Sequence, residues 1–210
     1  MANKTVFLIA NGQCDLSQEQ LAEIHSSNYL IAIDGGIKHC IALSCKPQIF
    51  VGDLDSASED HLKMFPGIIE HRFPKEKDET DLELALKIAL QFNPDKMRVF
   101  AALGNRIDHQ LQNIQLLSRY PGILVLESST EKLLALPKEI ILSVFPGQLL
   151  SLFPLNGSVH GITTKGLRWE LQDSTLDKHF ASISNICLGN EVVIRIGQGD
   201  LICILLQGSV

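Results

Sequence analysis

The hydrophobic pattern of this chain changes once, near Ser129, and no other feature limits its possible folds as much. Before that point short apolar runs (Val6 to Ala10, Tyr29 to Ile33, Gln48 to Val51, Val99 to Leu103, Ile123 to Leu126) alternate with stretches of helical periodicity. Such alternation predicts a mostly parallel sheet with helices on both faces. From Leu133 onward the runs Ile140 to Phe145, Leu149 to Leu155, Glu191 to Ile196 and Leu201 to Leu206 are separated by Pro146-Gly147, Asn156-Gly157, Gly189-Asn190 and Gly197-Gln198-Gly199. These are turn signals between strands, and they predict an all-β unit of sandwich or barrel-like form. The expected organisation is an α/β domain over residues 1–129 followed by a smaller β domain over residues 130–210. A chain of 210 residues is long enough to bury a core in each.

The acids gather where an α/β sheet places its ligands. In Ile49-Phe50-Val51-Gly52-Asp53-Leu54-Asp55-Ser56 an apolar run ends in a glycine and two carboxylates. That position is the carboxyl end of a strand, where open α/β sheets bind ligands. Two hard oxygen donors there suit Mg²⁺, which favours carboxylates together with substrate phosphates. Taken alone, the segment reads equally well as a polar turn, because aspartate is common in turns.

Two further clusters weigh against coincidence. Lys77-Asp78-Glu79-Thr80-Asp81-Leu82-Glu83 opens a stretch whose Leu82, Ala85, Leu86, Ala89 and Leu90 recur at helical spacing. Thr80 is the expected N-cap and Glu83 completes a capping box. Asp78 and Asp81 then stand around a helix N-terminus, whose free N–H groups favour negative charge and receive phosphate oxygens. Ordinary helix capping explains the same two acids. Gly104-Asn105-Arg106-Ile107-Asp108-His109 follows another apolar run and precedes a helix carrying Leu111, Ile114 and Leu117. Arg106 offers a planar charged fork for phosphate oxygens, and Asp108 can cap the helix. His109 has no second histidine at ligand spacing, so capping or packing is its expected role.

Taken in order, Ile33-Asp34-Gly35-Gly36, Gly52-Asp53-Leu54-Asp55-Ser56, Lys77-Asp78-Glu79-Thr80-Asp81-Leu82-Glu83 and Gly104-Asn105-Arg106-Ile107-Asp108-His109 resemble the thiamine pyrophosphokinase family. Gly166-Leu167-Arg168-Trp169-Glu170-Leu171 and Ser182-Ile183-Ser184-Asn185 look like that family's thiamine-binding half, so the resemblance spans nearly the whole chain. It implies Mg²⁺-dependent transfer of a pyrophosphoryl group from ATP to the hydroxyl of thiamine, giving thiamine diphosphate and AMP. By position, Asp53, Asp55 and Asp81 match the family's metal and phosphate acids. Arg106 joins them as a catalytic position, and Asp34, Lys77, Thr80, Arg106 and Asp108 fall at the nucleotide site. Trp169, Ser184 and Asn185 match the substrate side. The family also implies a homodimer whose sites draw on both subunits, and an apolar β domain with few charges is compatible with a subunit interface.

The chain departs from the pattern at two places. Asn105 stands where many relatives have a second glycine before the arginine, and Asn11-Gly12 runs into Gln13-Cys14 instead of an acidic residue. Neither change removes a charge from the proposed chemistry.

That chemistry asks for these residue types whatever the family. Phosphoryl-type transfer depends on positioning and on neutralising the charge of non-bridging oxygens, work for metal ions and arginine. The acids are therefore metal holders first; Asp81 and Asp55 are the candidates to orient or deprotonate the attacking hydroxyl, and the sequence, which gives no distances, leaves that role open. In the basic stretch His71-Arg72-Phe73-Pro74-Lys75-Glu76-Lys77, Arg72 and Lys75 read as a solvated loop, whereas Lys77 sits inside the motif.

On the substrate side, the alternation Leu167, Trp169, Leu171 predicts a strand with those three on one face. Core packing would explain the tryptophan; given the resemblance, its indole face is expected to stack on thiamine's cationic ring system. Ser184 and Asn185 can hydrogen-bond the pyrimidine, and both are also ordinary turn residues.

A net charge of −6 argues against nucleic acid as a partner, since that would require a basic face. The five cysteines, at positions 14, 40, 45, 187 and 203, form no C-x-x-C pair, which suits a reducing cytosol. Cys187 and Cys203 lie in apolar runs and are expected in the core. The first apolar run, Val6 to Ala10, is too short for a signal peptide or a membrane span and reads as a sheet strand, so a cytoplasmic enzyme is expected.

Two other functions remain compatible with the residues. One is a pyrophosphokinase for a different flat heterocyclic alcohol, such as a hydroxymethylpterin; the other is a non-catalytic thiamine or nucleotide sensor. The full set of Asp53, Asp55, Asp81, Arg106 and Asp108 weighs against the sensor, and Trp169 with Ser184 and Asn185 weighs against the pterin.

Overall fold

The computed structural model describes residues 4–104 and 106–208 and divides the chain into two units. The first runs up to Leu116 and includes Val125–Ser129; the second comprises Leu117–Leu124 and the chain from Thr130 on.

In the first unit, strands and helices alternate as β1 (Thr5–Ile9), α1 (Gln18–Ser26), β2 (Leu30–Ile33), α2 (Gly36–Ala42), β3 (Ile49–Gly52), α3 (Glu59–Lys63), β4 (Ile69–Arg72), α4 (Asp81–Leu90), β5 (Lys96–Phe100), α5 (Ile107–Leu116) and β6 (Leu124–Glu127). The strands stand in the order β4-β3-β2-β1-β5-β6. The β1–β2, β2–β3, β3–β4 and β1–β5 pairs are all parallel. The central strands are buried along their whole length, as in Leu30–Ile33 and Ile49–Gly52, because helices cover both faces and alternation of polar residues has no place there. Phe50, Phe100, Leu8, Ile9 and Ile37 fill this core with almost no solvent exposure.

The chain runs β1 to β4 outward in one direction and then returns to place β5 on the other side of β1. That reversal is a topological switch point, and the crevice at the carboxyl ends of the strands beside it is where such sheets bind ligands.

β4 has no counterpart in the apolar pattern. Its residues Ile69, Glu70, His71 and Arg72 are mostly exposed because it is the edge strand, so it needs no buried face. Arg72 belongs to this strand and forks onto Glu59 at 2.6 and 3.0 Å, on the surface.

In the second unit the strand pairs of both sheets are antiparallel. β7 (Glu131–Ala135), β14 (Leu201–Leu206), β9 (Leu149–Pro154) and β12 (Ser182–Ile186) lie side by side in that order. A second sheet has the order β11 (Ser174–Leu176), β10 (Val159–Lys165), β13 (Glu191–Arg195), β8 (Glu139–Ser143). Cys187 and Cys203 are buried here, and the chain's five cysteines are all unpaired thiols. Among the described residues no helix is long and apolar enough to cross a membrane.

Candidate active site

A cavity of about 490 Å³ opens in the first unit at the carboxyl ends of β1, β2, β3 and β5. Ala10, Asn11 and Gly12 line it from the end of β1, Ile33 and Asp34 from β2, and Asp53, Asp55 and Ser56 from β3. Thr80, Asp81 and Leu82 enter from the start of α4; Ala101, Ala102, Gly104 and Arg106 come from beyond β5.

The acids at the ends of β2 and β3 meet because the backbone there is forced into unusual conformations. Gly52 ends β3 against Asp34, and a Cβ at that glycine would lie 3.0 Å from the Asp34 Cα. Asp34 itself, at φ 45°, and Leu54, at φ 66°, occupy the left-handed region that side chains other than glycine seldom adopt. Such strain concentrates at functional sites, where the surroundings hold it in place. The Leu54 turn lets the Asp55 N–H donate to Asp53 Oδ1 at 3.0 Å, while the Ser56 N–H reaches toward Asp34 Oδ1 at 3.4 Å. One carboxylate oxygen from each of Asp34, Asp53 and Asp55 then falls within 4.8 Å of the others.

Lys77 stands at the other side of these acids. Its Nζ is 2.9 Å from Asp81 Oδ1 and 3.6 Å from Asp53 Oδ2. Burial works against the lysine charge, but Asp81 and Asp53 outweigh it and hold the Lys77 pKa above its ordinary value. Burial likewise raises the Asp81 pKa, and the ammonium of Lys77 offsets only part of that rise. Asp81 Oδ1 is buried and lacks a partner of good hydrogen-bond geometry despite the nearby ammonium. At Asp55 the balance is reversed: hydrogen bonds from Lys75 and Ser56 hold its carboxyl below the usual range.

Thr80 places Asp81 by capping α4. Its hydroxyl accepts from the Glu83 N–H at 3.2 Å, and Glu83 Oε2 accepts from the Thr80 N–H at 3.0 Å, the reciprocal capping box expected from the sequence.

Beyond β5 the strand stops three residues earlier than the apolar run suggests, because Ala101 turns into the left-handed region at φ 55°. The turn is held from two sides. Gly12 donates its N–H to Ala101 O at 2.8 Å, an approach so close that a Cβ on Gly12 would sit 2.4 Å from that oxygen. Asn113, buried on α5, donates to Ala102 O at 2.8 Å. Arg106 then reaches the cavity rim, with Nη2 2.5 Å from Asp108 Oδ2 and Nε 3.2 Å from Oδ1. Asp108 lies within the first turn of α5 and serves the arginine; beside that guanidinium its pKa falls to about 2. Asn105 lies outside the described residues.

Sequence reasoning missed part of this lining. His109, expected only to cap or pack, lines the cavity, as do Asn11, Ser56 and Asn113. For Asn113 a signal was present: a polar residue at a buried position of an amphipathic helix needs an internal partner.

The residues assigned to the substrate side lie in the second unit. The strand expected over Leu167, Trp169 and Leu171 does not form: Leu167 makes an isolated bridge to Cys187, and the chain then bends at Arg168 and Trp169. Gly166, at φ 88°, turns the chain out of β10, so alternation no longer governs which side chains are buried. Leu167 is 1% exposed and Trp169 55%, which places them in opposite environments. The Arg168 guanidinium carbon lies 5.2 Å from the centre of the Trp169 ring. Ser184 and Asn185 belong to β12; Ser184 is exposed and Asn185 is 1% exposed.

The acidic cavity fits a hard divalent cation. Its candidate donors are carboxylate oxygens alone, which suits Mg²⁺ better than softer metals. The buried Asp81 Oδ1, without an aligned donor, is a further polar atom in the same wall.

The chain is similar to known proteins over most of its length. Residues 21–125 match the family model described as "Thiamin pyrophosphokinase, catalytic domain", and residues 138–201 match "Thiamin pyrophosphokinase, vitamin B1 binding domain". The chain is 28% identical to thiamine pyrophosphokinase of Bacillus subtilis over 205 residues, 90% of each chain. It is 30% identical to thiamine pyrophosphokinase 1 of Oryza sativa over 77% of this chain and 67% of the other. The crystal structure of the Bacillus subtilis protein superposes with a TM-score of 0.86 at 26% identity, covering 97% of this chain and 99% of that one. The yeast thiamin pyrophosphokinase, at 16% identity, shares the fold with a TM-score of 0.83 over 98% and 87% of the two chains.

Proposed function

This chain belongs to the thiamine pyrophosphokinase family, and on that premise we propose that the acidic cavity of the first unit is its ATP and Mg²⁺ site. The enzyme transfers a pyrophosphoryl group from ATP to the hydroxyl of thiamine. The hydroxyl oxygen bonds to the β-phosphorus, the bond from that phosphorus to the α-phosphate oxygen breaks, AMP leaves and the hydroxyl proton passes to solvent.

The observation that carries the site assignment is the convergence of Asp34, Asp53 and Asp55 within 4.8 Å, in the same cavity as Asp81 and Arg106. Asp53 and Asp55, expected as metal ligands, stand there with Asp34, which the sequence reading gave to the nucleotide. Asp81 shares the cavity wall with them. Mg²⁺ bound to these carboxylates would neutralise the charge of the phosphate oxygens. Lys77 keeps Asp53 and Asp81 from repelling each other, and Arg106, oriented by Asp108, offers its fork to the phosphates. Thr80 presents the N-terminus of α4, a ten-residue helix whose first N–H groups attract anions.

Trp169 is the stacking surface for thiamine in this reading, supported by its exposed indole and its place in the region matching the vitamin B1 binding model. The assembly is a homodimer in which each site draws on both subunits. It is supported by the large apolar side chains that the second unit leaves in solvent, among them Trp169, Phe180, Ile183 and Leu188. The unpaired thiols support a reducing, cytoplasmic setting.

The test is mass-resolved product analysis of the purified protein with ATP, Mg²⁺ and thiamine. Thiamine diphosphate and AMP should appear together and in equal amounts. ADP with thiamine monophosphate would overturn the reading, and so would an absence of reaction.

A further inference from the structure

We infer that Asn185 is a positioning residue that holds Trp169 in place through its main chain and does not itself touch thiamine. This rests on the reading of Trp169 as the stacking surface.

One side-chain amide takes both main-chain polar groups of Trp169. Asn185 Oδ1 accepts from the Trp169 N–H at 3.1 Å, and Asn185 Nδ2 donates to the Trp169 carbonyl at 2.7 Å. The same Oδ1 also accepts from the Ile186 N–H at 2.9 Å. Trp169 lies in a bend, where no strand partner is present to satisfy its backbone, and buried peptide groups require partners. The amide of Asn185 stands in for the missing strand.

β12 is built to aim that amide inward. Its pairing with β9 shifts register between Ser182 and Asn185, and Ser184 sits at φ 55° with its N–H donated to Ser151 Oγ at 2.9 Å. A bulge of this kind re-aims side chains. Ile183 and Ser184 therefore both face solvent, and Asn185 turns inward to 1% exposure. Arg168 is tied to the same strand by its N–H to Ile186 O at 2.8 Å, and its guanidinium lies over the indole. The indole is 55% exposed, so its orientation depends on this clamped backbone more than on packing around the ring. Asn185 spends its oxygen and one amide hydrogen on protein. Direct hydrogen bonding to the pyrimidine then falls to Ser184.

Trp169 is the chain's only tryptophan, so intrinsic fluorescence reports on it alone. Asn185→Ala and the equally shaped Asn185→Asp, which keeps the acceptor and loses the donor to the Trp169 carbonyl, are compared with Trp169→Ala and with the Asn185→Ala, Trp169→Ala double variant. In full-length protein with an unchanged circular dichroism spectrum, the Asn185 variants should raise the thiamine KM about tenfold and leave the ATP KM within about twofold. They should also lower the fluorescence anisotropy of Trp169. The double variant should bind thiamine no worse than Trp169→Ala, because residues acting through one contact are not additive. A raised thiamine KM with wild-type fluorescence would mean direct contact and overturn the inference, as would altered fluorescence with an unchanged KM. Trp169→Ala with a wild-type thiamine KM would remove the stacking surface and this inference together. An impaired Trp169→Ala beside unimpaired Asn185 variants would remove this inference alone. Should the Asn185 variants fail to fold, hydrogen exchange of the wild-type Trp169 amide decides: protection is expected, and exchange at the rate of an exposed amide overturns the clamp.

Discussion

Lys77 Nζ stands 2.9 Å from Asp81 Oδ1 and 3.6 Å from Asp53 Oδ2, a single ammonium shared by two half-buried carboxylates. Removing one partner of such a group leaves the remaining charges buried without compensation, at a cost of about 3 kcal/mol. Lys77→Met should therefore lower the thermal midpoint markedly in metal-free buffer. Added Mg²⁺ should raise the midpoint of the variant more than that of the wild type, because a cation at the acids would supply the lost charge. Equal shifts in differential scanning calorimetry would show that Lys77 does not balance the proposed metal site.

The three acids that converge on one point predict a second result. Asp53→Asn and Asp55→Asn should each reduce turnover by orders of magnitude while the protein stays folded, since the charge serves metal and phosphate and not the core. Asp34→Asn should raise the Mg²⁺ concentration needed for half-maximal rate. Chelation with EDTA should abolish activity and Mg²⁺ restore it. A folded Asp53→Asn, Asp55→Asn double variant with near-normal activity would remove the metal assignment.

Asp53 and Asp55 were legible because they follow a short apolar strand, and strand ends in an α/β sheet are where ligands collect, whereas Asp34 was reached only through the family resemblance and was assigned to the nucleotide. Thr80 and Glu83 were legible for a local reason: a capping box is written in four consecutive residues. β4 was not, because an edge strand of Ile69, Glu70, His71 and Arg72 buries little and shows no apolar alternation. Trp169 was misplaced because the alternation of Leu167, Trp169 and Leu171 resembles a strand, whereas the turn at Gly166 is set by its neighbours in the fold. The inward aim of Asn185 depends on a register shift against β9, which no local pattern records. Gly12 holds the Ala101 turn from an element distant in sequence, so its role appears only once the chain is folded, whereas Asn113 was signalled as a polar residue at a buried helix position and only its partner, Ala102 O, was not.

Arg106 and Asp108 give the pH dependence. The folded-state pKa of Asp108, about 2, lies below its ordinary 3.8, so the pair's contribution is present above pH 3.8 and is lost as the pH falls through about 2. Both side chains are exposed, 70% and 60%, so that contribution is small. Asp108→Asn should leave the thermal midpoint nearly unchanged between pH 5 and 8. Its effect should instead appear in the ATP KM, since the fork of Arg106 loses the carboxylate that orients it; Arg106→Lys should raise the same KM further. An ATP KM unchanged in both variants would exclude the arginine from the nucleotide site.

Thr80→Ala should cost about 1 kcal/mol, the usual value of an N-cap side chain. The helix it caps begins with Asp81, so the loss should reach the site as well as the fold. Thr80→Ser keeps the accepting oxygen and should restore both the thermal midpoint and the rate. If Thr80→Ser behaves like Thr80→Ala, the cap is not what matters at this position.

The exposed indole of Trp169 carries the last prediction. A cation over an indole face gains roughly 0.5–2 kcal/mol, depending on how far it is desolvated. Since 1.4 kcal/mol is a factor of about ten in an equilibrium constant, Trp169→Ala should raise the thiamine KM by roughly that factor and leave the ATP KM within about twofold. Trp169→Phe keeps an aromatic face of weaker quadrupole and should fall between the wild type and Trp169→Ala. One face of the indole already lies beneath Arg168, 5.2 Å away, so thiamine is left the other face. Arg168→Ala should thus change the thiamine KM less than Trp169→Ala does. Equal effects of Trp169→Ala on the two substrates would mean that the tryptophan supports the fold of the second unit and does not stack on thiamine.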